Sequence, residues 1–489
     1  MKDYLVSRLQ YYLKNFQGKD IGEVLKHAKV YLIGEILAKA LVFISIIVFT
    51  YLLSPSEYGI YQVFISYSAI FVIILTLNFH QSVARYYYDE PPDFGQFLNV
   101  SLLGSLFFLF ISLLFFSVFE INFAKLISLP DELILLLIFQ VITGIVYSIF
   151  NQICISRKQS LLLVKVNVSK TYFAFFLSLV FIWMLQTQKY IGPILGTLIA
   201  GVLFSGYILK KIISREIQWG VKIEHIRYIF SYSVPLVPYS LSTIILGQID
   251  RIMINNHVGA SEAGLYSMAY NIAMLLGLVT AALQSALIPD WFRLMRKEQY
   301  QRIDLVIDRI FRITLFIALG LVLFAGDLML ILVDKRYYSA LFLIPIVVIG
   351  YVFEAMFKVY GRSIGFTNKM IYVAAVGIFA GIINVVLNQI YIPLYGYAAG
   401  AYTTVVSYFI MFLLSFWVAK TILKQRVTPI ILLLKPLFVF SISVATLYLI
   451  LVFGLTGITL FLSKVIIFVM FLIFLLKWKV PILEDIKNV

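Results

Sequence analysis

The chain has 489 residues, of which 62% are hydrophobic and 16% aromatic, and its formal net charge is +15. Soluble globular domains contain roughly 45 to 50% apolar residues, so this composition excludes a soluble fold and predicts a polytopic membrane protein. The single cysteine, Cys154, excludes a disulfide framework, and the four histidines have no metal-ligand spacing. We therefore expect neither a metal site nor a cofactor.

Residues 1–30 are polar and carry six Lys/Arg. They lack an apolar core followed by a small-residue cleavage site, so the pattern does not predict a signal peptide. Leu5, Leu9 and Leu13 share one helical face, which favours a segment that lies on the membrane surface. A plain cytoplasmic extension explains the same residues equally well.

Fourteen apolar segments follow, each long enough for the ~20 residues that a helix needs to cross the hydrocarbon core of a bilayer. The predicted spans are approximately 31–53, 60–83, 97–119, 133–155, 161–185, 191–209, 229–254, 263–289, 309–332, 340–361, 370–391, 397–419, 430–453 and 458–476. The fold class that they predict is an all-α polytopic membrane protein.

The basic residues are distributed unevenly among the connecting segments. With the N-terminus inside, the inner segments hold 26 Lys/Arg and the outer loops only 4. Because cytoplasmic loops carry the excess of Lys/Arg in membrane proteins, we predict that both termini are cytoplasmic. The positive charge then faces anionic lipid head groups, and nucleic-acid binding is not expected.

Short motifs recur at a nearly fixed offset. The hexapeptide that starts at Ser56 (SEYGIY) matches the one that starts at Ser261 (SEAGLY) at an offset of 205, and 192–196 matches 396–400 at an offset of 204. Repeats at a constant period indicate a duplication. The period spans six helices, an even number, so the two copies have the same orientation and are related by an axis along the membrane normal.

This duplication predicts two six-helix lobes around a central cavity. The N-lobe (31–209, spans 1–6) and the C-lobe (229–419, spans 7–12) are joined by a cytoplasmic linker, 210–228, and residues 420–489 form two further helices and a cytoplasmic tail. The charged positions inside the spans do not repeat between the lobes. Different charges from each lobe suit a large, asymmetric substrate.

Three motifs carry a resemblance to a known family: the turn that starts at Leu53 (LSPSEYGIY), the Asp250-Arg251 pair that ends span 7, and the turn that starts at Gly264 (GLY). The chain resembles the polysaccharide transporter (O-antigen flippase) family, whose superfamily also contains the multidrug and toxin extrusion transporters and the lipid II flippase. The resemblance implies movement of an undecaprenyl-pyrophosphate-linked oligosaccharide, an O-antigen, capsule or exopolysaccharide repeat unit, to the outer leaflet of the cell membrane. This lipid-linked oligosaccharide and membrane lipids are the implied partners, with a polysaccharide polymerase or glycosyltransferases as further candidates.

Ionisable side chains inside the spans are the candidate functional residues, since a central charge costs roughly 2.5 to 3.5 kcal/mol on insertion scales and normally faces a cavity or a partner. Glu35 and Lys39 on span 1, like Glu354 and Lys358 on span 10, lie four residues apart and share one helical face. In a functional interpretation, the lysines bind pyrophosphate or an acidic sugar, and the glutamates are counter-charges or proton carriers. In a structural interpretation, each pair neutralises itself so that its helix inserts.

Three more charged residues are candidates at the ends of spans. Asp250 and Arg251 are adjacent, so they project about 100° apart and do not pair on one face. The planar guanidinium of Arg251 suits phosphate or carboxylate, and Asp250 is a candidate for ion or proton coupling. Arg85 closes span 2 at the inner face, where an anionic head group arrives first. Snorkelling of Arg251 and a simple topogenic role for Arg85 are the alternatives.

Two other pairs inside the spans have open interpretations. Pro235 and Pro238 are expected to loosen the backbone of span 7, which serves either movement between the lobes or local packing. Lys165 and Lys170 lie one to three turns from the inner end of span 5, where binding and anchoring are equally good explanations.

Three alternative functions fit parts of the sequence. A drug or metabolite exporter of the same fold would need an acidic cavity for cations, whereas the spans hold nine Lys/Arg against four Asp/Glu. A lipid II flippase fits on fold grounds, and only substrate data separate it. A membrane polymerase or ligase would need a large outer loop with catalytic groups, but the outer loops are about a dozen residues or shorter. No nucleophile-base set appears either, so we expect a transporter and no catalytic residues.

Overall fold

The computed structural model describes residues 34, 37–38, 40–89, 92–118, 128–367 and 369–477, and all regular secondary structure in these residues is helical. The candidates Glu35 and Lys39, the N-terminal segment 1–30 and the end of the predicted C-terminal tail lie outside the described residues.

We number only the helices that correspond to predicted spans, so that each helix has the number of its span. They are α1 (Ala40–Leu52), α2 (Pro55–Ile74), α3 (Phe94–Val118), α4 (Glu132–Ser156), α5 (Ser160–Met184), α6 (Ile191–Ile208), α7 (Val237–His257), α8 (Ala260–Arg296), α9 (Tyr300–Leu332), α10 (Leu343–Phe366), α11 (Met370–Tyr395), α12 (Tyr397–Trp417), α13 (Ile430–Val452) and α14 (Gly457–Lys477). Within the described residues, thirteen helical segments are long and apolar enough to cross a membrane, and α1 is a shorter apolar helix. The predicted fold class, an all-α membrane protein with about fourteen helices, is confirmed.

A capping box starts α2 at Pro55, five residues before the predicted start of span 2. The Ser54 hydroxyl accepts a hydrogen bond from the Glu57 backbone N–H at 3.2 Å, and the Glu57 carboxylate accepts one from the Ser54 N–H at 2.9 Å. Proline suits the first helical position because its missing N–H has no partner there. The Glu57 carboxylate also accepts from the Lys189 backbone N–H at 2.9 Å, which joins this turn to the loop between α5 and α6.

Span 2 was predicted as one continuous helix, 60–83, and this prediction is wrong. The helix α2 ends at Ile74, the backbone φ angles at Leu77 and Asn78 are +48° and +59°, and a separate short helix follows at Gln81–Tyr88. Positive φ interrupts a right-handed helix. Asn78 is 1% exposed at this break, and its side-chain amide donates to Ser240 Oγ of α7 at 2.8 Å.

Span 7 is also interrupted. A short helix, Ile223–Ser233, and a 3-10 turn, Val234–Leu236, precede α7. Pro235 lies in the turn and Pro238 in the first turn of α7, so the expected loosening of the backbone occurs at these prolines. The two interruptions contact each other, because the rings of Phe79 and Phe230 pack edge to face at 5.1 Å.

The chain between the lobes is bound to the N-lobe at the predicted inner end. The Arg157 guanidinium at the end of α4 forms two parallel hydrogen bonds with the Glu216 carboxylate. Asp93, just before α3, accepts hydrogen bonds from Lys222 and contacts His225 Nε2 at 3.0 Å. The Lys222 ammonium holds the pKa of Asp93 well below its usual range, and hydrogen bonds from Tyr86 and His225 lower that pKa further.

The two predicted lobes are joined where α2 packs against α7 and α8. A Cβ at Gly59 would lie 1.8 Å from the carbonyl oxygen of Ala260, and one at Gly264 would lie 1.9 Å from the carbonyl oxygen of Pro55. Gly59 and Gly264 are equivalent positions of the repeat, offset by 205. We call this symmetric backbone approach the glycine contact. It lies at the predicted outer end of the bundle and permits no side chain at either position.

Candidate functional site

Asp250 lies in a closed polar site inside the C-lobe and is 1% exposed. Its carboxylate accepts three hydrogen bonds, from Tyr266 Oη of α8 at 2.6 Å, Asn388 Nδ2 of α11 at 2.6 Å and Thr404 Oγ1 of α12 at 2.7 Å. Side chains from α7, α8, α11 and α12 therefore converge on one carboxylate.

Further polar groups surround Asn388. Its Oδ1 accepts a hydrogen bond from Thr403 Oγ1, and its Nδ2 also contacts Asn384 Oδ1 at 3.2 Å. Together with Asp250, they place carboxylate, amide and hydroxyl oxygens in one small buried volume. Such oxygens suit a proton or a hard cation. In the described part of the chain, no group of three or more His, Cys, Asp or Glu side chains is arranged to hold a metal ion.

Arg251, the next residue of α7, is 2% exposed and takes part in a different network. Its Nη1 donates to the Gly247 carbonyl at 2.6 Å and to Gln248 Oε1 at 2.8 Å, and its Nη2 donates to Asn271 Oδ1 at 2.9 Å. The guanidinium carbon lies 4.7 Å from the centroid of the Tyr270 ring. These partners are all neutral, and Arg251 forms no ion pair with a carboxylate of the described residues.

The network of Arg251 crosses from the C-lobe to the N-lobe. Gln248 and Asn271 bond three side chains of α2 at 2.9 to 3.4 Å, namely Tyr58, Gln62 and Ser66. Among the described residues, the hydrogen-bond partners of Asp250 all lie in the C-lobe, whereas the partners of Arg251 bond the N-lobe, as adjacent residues about 100° apart allow. One short segment of α7 joins the interior of the C-lobe to the boundary between the lobes.

Glu354 and Lys358 form an ion pair on α10, with Oε1 and Nζ 2.8 Å apart. The side chains are 19% and 27% exposed, respectively, and Glu354 Oε2 is buried with no hydrogen-bond partner among the described residues. The pairing agrees with the structural interpretation, whereas the unpartnered oxygen agrees with the functional one. Tyr351, one turn earlier, lies 5.9 Å from the Tyr270 ring, so aromatic rings lead from Arg251 towards this pair.

Arg85 lies apart from these residues. It is on the short helix Gln81–Tyr88, its side chain is 59% exposed, and its guanidinium lies 3.7 Å from the Asp89 carboxylate. The structure therefore does not bring Arg85 to Asp250, Arg251 or Lys358.

The sequence interpretation missed the polar partners of the two charged residues. Asn384 and Asn388 are four residues apart in an otherwise apolar span, and Asn271 stands alone in span 8. Buried amides are normally hydrogen-bonded, so polar residues within apolar spans are a usable signal. Apart from the contact between Asn384 and Asn388, their partners lie 15 to 213 residues away along the chain, and the sequence alone does not identify such pairs.

The double substitution of Glu354 and Lys358 by glutamine should leave a folded, inserted protein that transports at least tenfold more slowly. A single substitution leaves one charge without its partner, but the double substitution removes both charges. Transport and thermal stability of all three variants are the measurements. The matched control neutralises the pair of Lys464 on α14 and Asp327 on α9, which are 2.7 Å apart and form no hydrogen bond or ion pair with Glu354 or Lys358 among the described residues. Export at the wild-type rate by the Glu354 and Lys358 double variant would eliminate both residues from the site.

A comparison with known protein families matches the part of the chain that contains Asp250 and Arg251. Residues 24–295, more than half of the chain, match the family model described as "Polysaccharide biosynthesis protein". The chain belongs to this family. The match spans the whole predicted N-lobe and reaches through α7 and most of α8, so it includes Asp250, Arg251 and the glycine contact.

Proteins with related sequences include one from Haemophilus influenzae and one from Haloferax volcanii. An "Uncharacterized membrane protein" of Haemophilus influenzae is 26% identical over 295 residues, which cover 58% of this chain and 68% of the relative. The "Probable low-salt glycan biosynthesis flippase Agl15" of Haloferax volcanii is 22% identical over 186 residues, 37% of this chain and 39% of that protein.

Solved structures share the fold. The lipid II flippase MurJ in an inward closed conformation matches with a TM-score of 0.71 at 16% identity, over 91% of this chain and 98% of that one. An inward-facing multidrug resistance MATE family transporter of the MOP superfamily matches with a TM-score of 0.57 at 14% identity, over 82% and 94%. At these identities the matches show that this chain shares the fold of those transporters.

Proposed function

We propose that this family member is a flippase that moves an undecaprenyl-pyrophosphate-linked oligosaccharide to the outer leaflet of the cytoplasmic membrane by alternating access, with both termini inside. The observation that carries the proposal is Arg251, a fully buried cation held between the lobes by neutral acceptors. The neighbouring Asp250 interacts with Arg251 electrostatically, but no described carboxylate forms an ion pair with the guanidinium, and a buried charge without such a partner is unfavourable. An anionic pyrophosphate that reaches Arg251 when the lobes separate would supply the counter-charge, because the planar fork of the guanidinium binds phosphate oxygens.

Alternating access in this proposal uses the contacts at the predicted outer end. The glycine contact and the Arg251 network hold α2 against α7 and α8, which closes the path to the outside. Separation of the lobes exchanges these neutral hydrogen bonds for contacts with the substrate. A ligand shifts such an equilibrium only by its difference in affinity for the two states, and Arg251 provides such a difference.

Coupling to an ion gradient is assigned to Asp250. Binding of a proton or a hard cation changes which hydrogen bonds its carboxylate accepts from Tyr266, Asn388 and Thr404. Because Arg251 is the next residue on the same helix, a rotation or shift of α7 at Asp250 also moves the guanidinium. The occupancy of the C-lobe site thereby acts on the boundary between the lobes.

Purified protein in proteoliposomes tests the proposal with three substrates: a fluorescent polyprenyl-pyrophosphate oligosaccharide, lipid II and a cationic drug. We expect the oligosaccharide lipid to become accessible to an external glycosidase at least tenfold faster than in protein-free vesicles. Preferential movement of lipid II would instead support a lipid II flippase. Movement of the cationic drug alone would identify an exporter and overturn the proposal.

A further inference from the structure

A second basic side chain inside the membrane-length helices has no counter-charge, and it lies in the N-lobe. The Lys170 ammonium of α5 lies 3.7 Å from the centroid of the Tyr147 ring of α4. Lys170 is half-buried and forms no ion pair with any described residue. A cation over an aromatic face is attracted to the ring, yet no side chain or carbonyl of the described residues accepts a hydrogen bond from its N–H donors.

Position along α5 distinguishes Lys170 from an anchoring lysine. The helix starts at Ser160 at the predicted inner end, so at 1.5 Å per residue Lys170 lies about 15 Å along it. The hydrocarbon core is about 30 Å thick, which places Lys170 near the middle of the membrane. Lys165 is half as far along the helix and is exposed. Snorkelling to the head groups therefore explains Lys165 and does not explain Lys170.

Unpartnered oxygens line the two helix faces that meet at this lysine. On α4, Gln140, Tyr147 and Asn151 are seven and four residues apart and share one face, and on α5, Asn167 lies one turn before Lys170. The side-chain oxygens Gln140 Oε1, Tyr147 Oη, Asn151 Oδ1 and Asn167 Oδ1 are each buried, and each lacks a hydrogen-bond partner within the described residues. Buried polar atoms are normally satisfied, so four unpartnered oxygens on the two helices that carry Lys170 and Tyr147 are unusual, and we call them, with Lys170, the polar cluster.

The chemistry of this cluster matches a sugar. Its oxygens accept hydrogen bonds and therefore need donors, while the Lys170 ammonium donates and needs an acceptor. A sugar residue offers both, since its hydroxyl groups donate and accept and a uronic acid adds a carboxylate acceptor. An alkyl chain offers neither, and a pyrophosphate offers acceptors alone.

We propose that Lys170, Tyr147, Asn151 and Asn167 form a sugar-binding subsite in the N-lobe that contacts the glycan of the lipid-linked substrate. The inference rests on the proposed function and deepens it. The N-lobe subsite recognises the sugar, and Arg251 and Lys358 of the C-lobe take the pyrophosphate. The absence of repeated charges between the lobes then follows from their contacts with chemically different parts of one substrate.

The test compares Lys170→Gln with Lys165→Gln, a matched control on the same helix. The probe is the repeat-unit oligosaccharide released by mild acid from the lipid-linked pool of the host cell, and its binding to protein in nanodiscs is measured by calorimetry. We expect Lys170→Gln and Asn151→Leu to weaken binding at least tenfold, Lys165→Gln to change it less than twofold, and Lys170→Arg to retain most of it. Thermal stability of each variant identifies any folding defect, and Lys170→Arg keeps the charge if glutamine proves destabilising.

Two further measurements, binding of different oligosaccharides and transport, distinguish the possible results. Loss of binding confined to uronic-acid oligosaccharides assigns Lys170 to a carboxylate, whereas loss with neutral ones assigns it to hydroxyl oxygens. In transport, Lys170→Gln should slow the full lipid-linked oligosaccharide but not a carrier that bears one sugar residue. Equal binding by wild type, Lys170→Gln and Asn151→Leu, or no binding by wild type, would overturn the subsite even if wild type transports. Failure of wild type to move any lipid-linked oligosaccharide would instead overturn the proposed function.

Discussion

Replacement of Asp250 by asparagine is expected to reduce transport at least tenfold while the protein remains folded and inserted. Asparagine has nearly the same shape, so the packing of α7 against α11 and α12 is preserved. It carries no charge and binds no proton, and its amide N–H₂ meets the donors Tyr266, Asn388 and Thr404. A tenfold loss corresponds to about 1.4 kcal/mol in the transition state, which is modest for the removal of a buried coupling charge.

The measurement is the initial rate of oligosaccharide-lipid movement in proteoliposomes. It is made once under an imposed proton gradient and once under an imposed sodium gradient. The gradient that accelerates wild type identifies the coupling ion, and the Asp250→Asn variant should respond to neither. Asp131→Asn, an exposed carboxylate just before α4, is the matched control and should transport normally. Gradient-dependent transport by Asp250→Asn at the wild-type rate would remove Asp250 from the coupling site.

The sequence predicted those features that depend on local pattern. Apolar segment length gave the fourteen helices, and the offset of 205 identified Gly59 and Gly264 as equivalents. Helical geometry also predicted that Asp250 and Arg251 point in different directions. Each of these follows from residues that lie within one segment or from a comparison of two segments.

The features that the sequence did not predict depend on contacts between distant segments. The break at Asn78 is stabilised by Ser240, which lies 162 residues later, and apolar periodicity alone favoured a continuous helix there. For Arg251 the sequence left a cavity role and snorkelling open, and it did not predict that the partners Gln248 and Asn271 bond α2. Hydropathy predicts which segments cross the membrane, but it does not predict which neighbouring helix each face of a segment contacts.

The proposed function assigns two different roles to the adjacent residues Asp250 and Arg251. In the proposed mechanism the Asp250 carboxylate binds an ion inside the C-lobe, and Asn271, which accepts from the Arg251 guanidinium, bonds Tyr58 of the N-lobe. Communication between the two needs no chain of intermediate residues, because both side chains belong to one turn of α7. The coupling hypothesis therefore reduces to the movement of one helix, α7, whose start at Pro235 and Pro238 is already irregular.

Substitution of Gly59 by alanine is expected to hold the protein open at the predicted outer end and to reduce transport at least tenfold. The added Cβ would lie 1.8 Å from the Ala260 carbonyl oxygen, and Gly264→Ala would place a Cβ 1.9 Å from the Pro55 carbonyl oxygen. Both obstacles are backbone atoms at the start of a helix, so they do not move aside as a flexible side chain does. The lobes must separate instead, and the neutral hydrogen bonds of Arg251 to the α2 network are lost with the glycine contact.

The measurement combines transport with labelling from outside. In a Cys154→Ser background, the thiol introduced by Ser66→Cys is buried between the lobes in the closed form, since Ser66 is 0% exposed. A membrane-impermeant maleimide should label it slowly in the parent protein and rapidly after Gly59→Ala or Gly264→Ala. Gly206→Ala and Gly326→Ala are the controls, because a Cβ at either position meets nothing within 4 Å, and alanine favours a helix by about 1 kcal/mol over glycine. If Gly59→Ala and Gly264→Ala transport like these controls and leave the thiol protected, the glycine contact does not close the outer path, and the alternating-access proposal loses its structural basis at that end.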